Sequence, residues 1–529
     1  VESIQITKGA GSVVNGYESI SGQINTELIK PINDIPFFLN AYGSTDSRFE
    51  LNTHFNTQLS QKWSSSLFVH GNTRVSKMDQ NNDGFMDNPL AKQINVMNRY
   101  QYYDAEKGLV SFINFRYMND KKQSGEVDFD PDRDRGATNR WGSEINTQRL
   151  DLATKVGYVF KDMPFQSIGF QNAFTLHNQN SYYGLNVYDI KQSSFYSNLI
   201  FNSIINNTKH KFATGINFAY DNYNEFVGLT DYGRVDNSVG TFFEYTYDND
   251  DNFSLVLGGR VDNHNRLGTF VTPRLHLRYN PWEKSVLRFS AGRGKRAANI
   301  FAENQSLFAS SRTFSILDTD GKIYGLNPEI AWNYGLSFNQ KFQLFGRNGD
   351  AGFDLYRTDF QNQAVVDVKQ SPQQVLFYNL KGKSYATSLQ IEFNYELANR
   401  FSLRSAYKYY DIQTQYLSGV YQRPLQAKHR FFGNLEYETG RSESGSQWRF
   451  DATYNWLGKQ QLPVTASNPA QDRLPEFSPS YNLINAQVTH VFSSNFEVYV
   501  GGENIGNYKQ SKAILGAETP FGPTFDASI

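Results

Sequence analysis

The sequence predicts an all-β protein: an antiparallel transmembrane β-barrel of about 22 strands, roughly 21 of them within this chain. Three observations carry that reading. The chain is 15% aromatic, with 33 Tyr, 42 Phe and 6 Trp, yet its mean hydropathy is only −0.57. Apolar side chains recur at every second position over segments of about ten to fourteen residues, longer than the ~5–6 of an average soluble strand. Short and long polar connectors alternate between those segments, as periplasmic turns and extracellular loops do in bacterial barrels.

Composition removes the competing classes. The 51 Lys and Arg balance 52 Asp and Glu, so the basic excess of a nucleic-acid binder is missing. With 0 Cys there is no disulfide framework, thiolate metal site or thiol nucleophile. No run of ~20 apolar residues offers a membrane helix. A length of 529 residues would suggest three or four soluble domains of ~150 residues, but the alternation overrides that count. The chain opens at Val1, without an initiating Met or a signal peptide, and reads as a mature or trimmed form.

The elements follow in order. Residues 1–31 do not alternate, and Gly9, Gly11, Gly16 and Gly22 suggest tight turns. Residues 32–529 read as the barrel, opening with a strand near Phe37–Gly43. Phe49, Leu51, Thr53, Phe55, Thr57 and Leu59 share one face; Glu50, Asn52, His54 and Asn56 share the other. The same pattern marks Leu150–Phe160, Trp332–Phe338, Tyr385–Leu397 and Trp448–Trp456, with aromatics at the ends as in interfacial girdles. Short turns fall near residues 60–62, 104–107, 161–165, 206–208, 249–251, 281–284, 344–348, 397–400, 438–447 and 493–495. Longer connectors are expected at 75–92, 118–148, 181–190, 222–238, 294–327, 367–382, 413–427 and 457–479, with a short outer one at 264–268. Ala517–Ile529 reads as a loop, so a last strand is expected to follow it and make the count even. A lumen of that size requires a plug to keep the permeability barrier.

Residues 1–31 resemble the end of the plug domain of TonB-dependent outer-membrane receptors. Glu2, Ile4, Lys8, Gly9, Ser12, Gly16, Ile20, Gly22, Ile24 and Asn25 stand at the places of that family's pattern before its first barrel strand. The resemblance continues in Gly258-Gly259-Arg260-Val261-Asp262 with Thr272-Pro273-Arg274, and in Arg288-Phe289-Ser290-Ala291-Gly292-Arg293-Gly294 with Arg296 and Asn299. There Ala298 replaces the usual proline. It extends to Leu326-Asn327-Pro328-Glu329 and to Glu503-Asn504-Ile505. It implies residence in the bacterial outer membrane as a monomer, surrounded by lipid and lipopolysaccharide. It also implies active import of a scarce small nutrient, energised by the TonB–ExbB–ExbD complex through an N-terminal TonB box outside this chain. The implied substrates are metal chelates (ferric siderophore, haem or another metal) or cobalamin; glycan importers of the family usually have larger barrels. A passive porin or surface-binding barrel is the alternative, disfavoured by the plug-like residues 1–31.

Charges facing midplane lipid cost about 2–4 kcal/mol each, so Arg260, Asp262, Arg274, Arg288 and Arg296 should point to the lumen or plug, in charge pairs or along a substrate path. Asp79, Asn81, Asp83 and Asp87 stand at positions 1, 3, 5 and 9 of an EF-hand-like count, with Gly84 at the turn. Leu90 replaces the bidentate Glu, which leaves a solvated turn or a calcium site that orders the loop; comparable early loops of the family's cobalamin receptors use calcium. No other cofactor is expected. Asp128–Arg135 alternates in sign and reads as self-neutralising. The 8 His are scattered and no enzyme fingerprint appears, so no catalytic residue is expected. Two Met, Met78 and Met86, share a loop, too few for a methionine-rich copper receptor. Phe301, Phe308, Phe314 and Tyr324 read as loop packing or as a cap over a ligand, and no substrate-binding residue is assigned.

Overall fold

The computed structural model describes residues 2–32, 34–510 and 512–528. Twenty-three hydrogen-bonded segments follow one another in a circular sheet order. Two of them, Thr230–Asp231 and Gly419–Gln422, are short flaps on their neighbours, which leaves 21 strands crossing the wall, each antiparallel to the one that follows it in the chain. The count agrees with the sequence. An odd number of alternating strands leaves the first, Phe37–Gly43, and the last, Phe496–Gly502, running the same way. Across that seam Asn40 Nδ2 donates to the Tyr499 hydroxyl at 3.5 Å.

Side-chain alternation separates the two faces. In strand Phe253–His264, Leu257 and Val261 project outward, 45% and 44% exposed, while Arg260 and Asp262 are buried on the lumenal side. The outward set along the wall is apolar and aromatic, as a hydrocarbon band requires.

The strands are longer than the sequence suggests. Met163–Tyr183 and Asn207–Val227 each have 21 residues. At ~3.3 Å per residue and a ~40° tilt such a strand rises about 50 Å, twice the ~25 Å apolar band. The connector expected over 181–190 is a two-residue turn at Gly184 and Leu185 between paired strands; the one expected over 118–148 shrinks to 126–141. Above the band both faces are wet, so Ser181, Asn222 and Asn224 carry no apolar alternation and read as loop. Gly184 has φ +59°, the left-handed conformation that such a tight turn needs, and a Cβ there would meet Trp141 Nε1 at 2.4 Å.

Residues 2–32 form a separate unit inside the barrel. Ser3–Lys8 and Gly22–Glu27 pair as an antiparallel hairpin, and a 3₁₀ turn, Val13–Asn15, lies between them. The longer outer loops also fold. Thr313–Ile316 runs parallel to Gln374–Asn379, which pairs antiparallel with Ala364–Asp367.

Candidate functional site in the lumen and at the mouth

The lumenal segment is seated on glycines. On the inner wall a Cβ at Gly258 would come within 2.8 Å of Val13, one at Gly292 within 2.4 Å of Ala10, and one at Gly294 within 2.5 Å of Ile20. The glycines of the two barrel motifs are therefore sockets for three apolar side chains of the segment.

Two buried guanidinium groups fasten the backbone between those sockets. Arg260 donates through Nη1 to the Val13 carbonyl at 2.6 Å, and Asp262 holds it through Nε at 2.7 Å. Its Nη2 reaches Asn217 Oδ1 at 2.7 Å. Both Nη groups of Arg274 are spent on carbonyls: Nη1 donates to Gly11 at 2.6 Å and Ser12 at 2.7 Å, Nη2 to Gly16 at 3.1 Å and Ser19 at 3.3 Å, while its buried Nε has no partner among the described residues. Five donors in a rigid planar fork suit such a cradle as a lysine ammonium does not. Ser12 Oγ donates to Glu244 at 2.7 Å, Asn198 Nδ2 to the Val14 carbonyl at 3.1 Å, and Lys8 pairs with Asp354 on the wall. The lumenal orientation expected for Arg260, Asp262 and Arg274 is what the structure shows.

Nearer the mouth, Glu18 projects from the segment into the lumen, its side chain exposed there but ringed by the wall. Partial desolvation by that surrounding protein, then the nearby Asp221 carboxylate, push its carboxyl up to about 7, partly offset by Arg296. Arg296 bonds Glu329 and Glu303, each at 2.7 Å. Beside it lies a buried network that the sequence did not disclose. Arg234 pairs with Glu225 at 3.2 Å and Asp236 at 3.0 Å, and donates to the Tyr324 hydroxyl at 2.7 Å. Tyr188 donates to Glu225 at 2.9 Å, and Tyr324 also donates to Glu225. Burial, then the Glu225 carboxylate, raise the Tyr324 hydroxyl well above the ordinary phenol range. Directly bonded partners in this network are up to 99 positions apart, so no local spacing announces them.

Over the mouth the loops share one aromatic core. Phe301 and Phe308, each 1% exposed, pack with Phe377 and the partly buried Phe314 and Tyr324, so loop packing is the reading that holds for this quartet. Phe525 of the C-terminal stretch lies against Trp141 and Phe85, ring centroids 5.0 and 5.9 Å away. The buried ion pair Arg312–Asp526, at 2.6 Å, ties the same stretch down.

Asp79, Asn81, Asp83 and Asp87 share one loop, with their oxygens turned onto its own amides. Asp79 accepts from the amides of Asp83 at 3.2 Å and Gly84 at 2.9 Å, Asp83 from Phe85 at 2.9 Å, and Asp87 from Gln80 at 2.8 Å. Asn81 donates to Asp83 at 2.8 Å. Among the described residues no group of three or more His, Asp or Glu is placed to hold a metal ion. In the second acidic stretch Arg133 pairs with Asp134 at 2.7 Å, as a self-neutralising loop requires.

The family model described as TonB dependent receptor-like, beta-barrel, matches residues 91–505. The chain belongs to that family. It is a family of receptors, not of enzymes. No curated relative matches the sequence. Among solved structures, the chain is similar to the ferripyoverdine receptor of the outer membrane of Pseudomonas aeruginosa, with TM-score 0.70 and 12% identity over 96% of this chain and 72% of that one. The siderophore receptor PirA from Acinetobacter baumannii gives TM-score 0.72 and 12% identity over 99% and 83%. The ferric-catecholate import receptor Fiu from K12 E. coli gives 0.69 and 11% over 97% and 83%. At such identities the likeness is one of fold.

Proposed function

We propose that the protein imports a scarce nutrient across the bacterial outer membrane by TonB-dependent active transport. The ligand, a metal chelate such as a ferric siderophore or haem, or cobalamin, would bind at the extracellular mouth. Remodelling of the plug, driven by TonB–ExbB–ExbD, would then release it inward. The observation that carries the reading is the lumenal segment bound by Arg260 and Arg274: a barrel that works by diffusion has no use for an occluding peptide held through its backbone carbonyls. Hydrogen bonds to carbonyls fasten the segment without covalent linkage, so a pulling force can release and restore it. The three structural relatives are by name receptors of ferripyoverdine, siderophore and ferric catecholate, which favours a ferric siderophore among the chelates.

Growth of a deletion strain under iron limitation, with single ferric siderophores supplied, tests the proposal; ligand-dependent growth should vanish with the gene and with TonB. A large steady conductance of the full-length protein in planar bilayers would instead establish a pore. Calcium at Asp79, Asn81, Asp83 and Asp87 is part of the same proposal, as an ion ordering the loop. Heat or a melting shift with millimolar calcium is the expected sign, and a flat titration removes it.

A further inference from the structure

The outer wall carries a depression that the transport reading does not use. It encloses about 630 Å³, within the ~300–1,000 Å³ of small-ligand pockets. Gly259, Pro273 and Ala291 form its floor, with Phe243 and Leu257 on one side and Trp332 on the other. All six lie on the lipid side: Phe243 and Leu257 are 50% and 45% exposed, and Gly259 is paired with Phe243 and with Pro273. A Cβ at Gly259 would meet nothing within 4 Å, so this glycine permits no close approach; it leaves a hollow.

At the extracellular end of the hollow stands a cation. Arg293 follows Phe289 and Ala291 on the outward face of Ser285–Arg296, while Gly292 and Gly294 face the lumenal segment. It lies cross-strand from Trp332. The wall opens beside it: Gly268–Tyr279 pairs with Ser285–Arg296 only from Arg274↔Gly292 to Tyr279↔Leu287, and Pro273, just above, has no amide hydrogen to continue the ladder. Arg293 bridges the opening, donating through Nη1 to the Val271 carbonyl at 3.2 Å and through Nε to Gln361 at 3.4 Å. Among the described residues its hydrogen-bond partners are thus a backbone carbonyl and a neutral amide, not a carboxylate. Eight residues beyond Ser285, at ~3.3 Å each and a ~40° tilt, Arg293 sits about 20 Å up a ~25 Å band, at the outer interface. There an unpaired guanidinium is complementary to a lipid phosphate, which it can grip with two parallel hydrogen bonds.

We infer that the hollow of Gly259, Pro273 and Ala291 binds one acyl chain of a lipid A molecule of the outer leaflet, whose phosphate is held by Arg293. The site rests on the outer-membrane placement proposed above. A surface within the bilayer has hydrocarbon as its only available filling, and the cation at its upper end selects a phosphorylated headgroup over a neutral one.

Native mass spectrometry of the full chain, released from detergent micelles with added bisphosphorylated lipid A, tests the site. The unaltered protein should keep one lipid A at a detergent concentration that strips the rest. Ala291→Phe fills the hollow with a side chain suited to lipid and should lower retention about tenfold. Arg293→Gln should lower it similarly, yet leave weak binding of dephosphorylated lipid A unchanged. Retention by either variant equal to that of the unaltered protein, equal binding of phosphorylated and dephosphorylated lipid A, or equal binding of phosphatidylethanolamine would each overturn the inference. Flotation with liposomes keeps the two readings apart. A chain that does not float overturns the membrane placement, and a chain that floats but shows no variant effect overturns the site alone.

Discussion

Arg274 and Gly11, 263 positions apart in sequence, are joined by a 2.6 Å hydrogen bond from the guanidinium Nη1 to the backbone carbonyl. Three more carbonyls of the same segment converge on that side chain. One barrel arginine thus holds a peptide from Gly11 to Ser19 through its backbone carbonyls.

Arg274→Met keeps the bulk and removes every donor, leaving four carbonyls to find water or go unpaired. A buried acceptor without a partner costs ~1–3 kcal/mol, and some of the four will be rehydrated. The expected loss in docking is about 3 kcal/mol, a factor on the order of a hundred. Amide exchange in residues 9–20 should quicken by that factor while barrel amides stay protected. Unchanged exchange would remove the latch.

The glycine sockets predict a compensating pair. Gly258→Ala places a methyl 2.8 Å from Val13, and such overpacking costs ~1–3 kcal/mol. Val13→Ala alone should also loosen docking. Together the two changes should cost less than their sum by at least about 1 kcal/mol, read from the same exchange rates in a double-mutant cycle. Simple additivity would show that the two positions do not meet.

Glu18 predicts a pH dependence of docking. Its carboxyl is raised from the ordinary carboxylate value to about 7, first by desolvation and then by Asp221. A raised carboxylate favours the seated state only when protonated. Docking should therefore be tightest in acid and weaken as pH rises from about 4.5 to 7, with no further change from this group above that. Exchange at residues 14–20 should speed up between pH 5 and 8, after correction for intrinsic rates. Glu18→Gln should flatten that rise, and a slope that survives the substitution assigns it elsewhere.

Phe525 anchors the C-terminal stretch to the loop core. Phe525→Ala removes a side chain 1% exposed between Trp141 and Phe85, where large-to-small changes cost ~3–5 kcal/mol. The barrel should still fold, because its ladder does not involve this residue. Protease sensitivity of residues 505–528 should rise sharply, with cleavage confined to that stretch, and Asp526→Asn, which weakens the Arg312 pair, should act in the same direction.

Much of the architecture was legible in one dimension. Alternation across a lipid boundary has a period of two, so Phe49–Leu59 or Trp448–Trp456 announce both strand and outward face by themselves. The lumenal side of Arg260, Asp262 and Arg274 followed from the cost of charge in hydrocarbon, whereas nothing in the sequence showed that Gly258, Gly292 and Gly294 seat Val13, Ala10 and Ile20. The sequence failed where that boundary ends. Above the membrane both faces of Met163–Tyr183 and Asn207–Val227 are wet, so the pattern fades although the ladder continues.

What the sequence by itself determined is therefore the wall: strand period, approximate strand number, the short and long ends, and the family. Only the tertiary structure decided what meets inside and above it. The four carbonyls on Arg274, the ring of Glu225, Arg234, Tyr188 and Tyr324, and the seat of Phe525 between Phe85 and Trp141 join residues from distant strands and loops. The physical reason is range. Alternation is a local response to a solvent boundary, whereas these contacts exist only once closure of the sheet brings remote positions within a few ångströms.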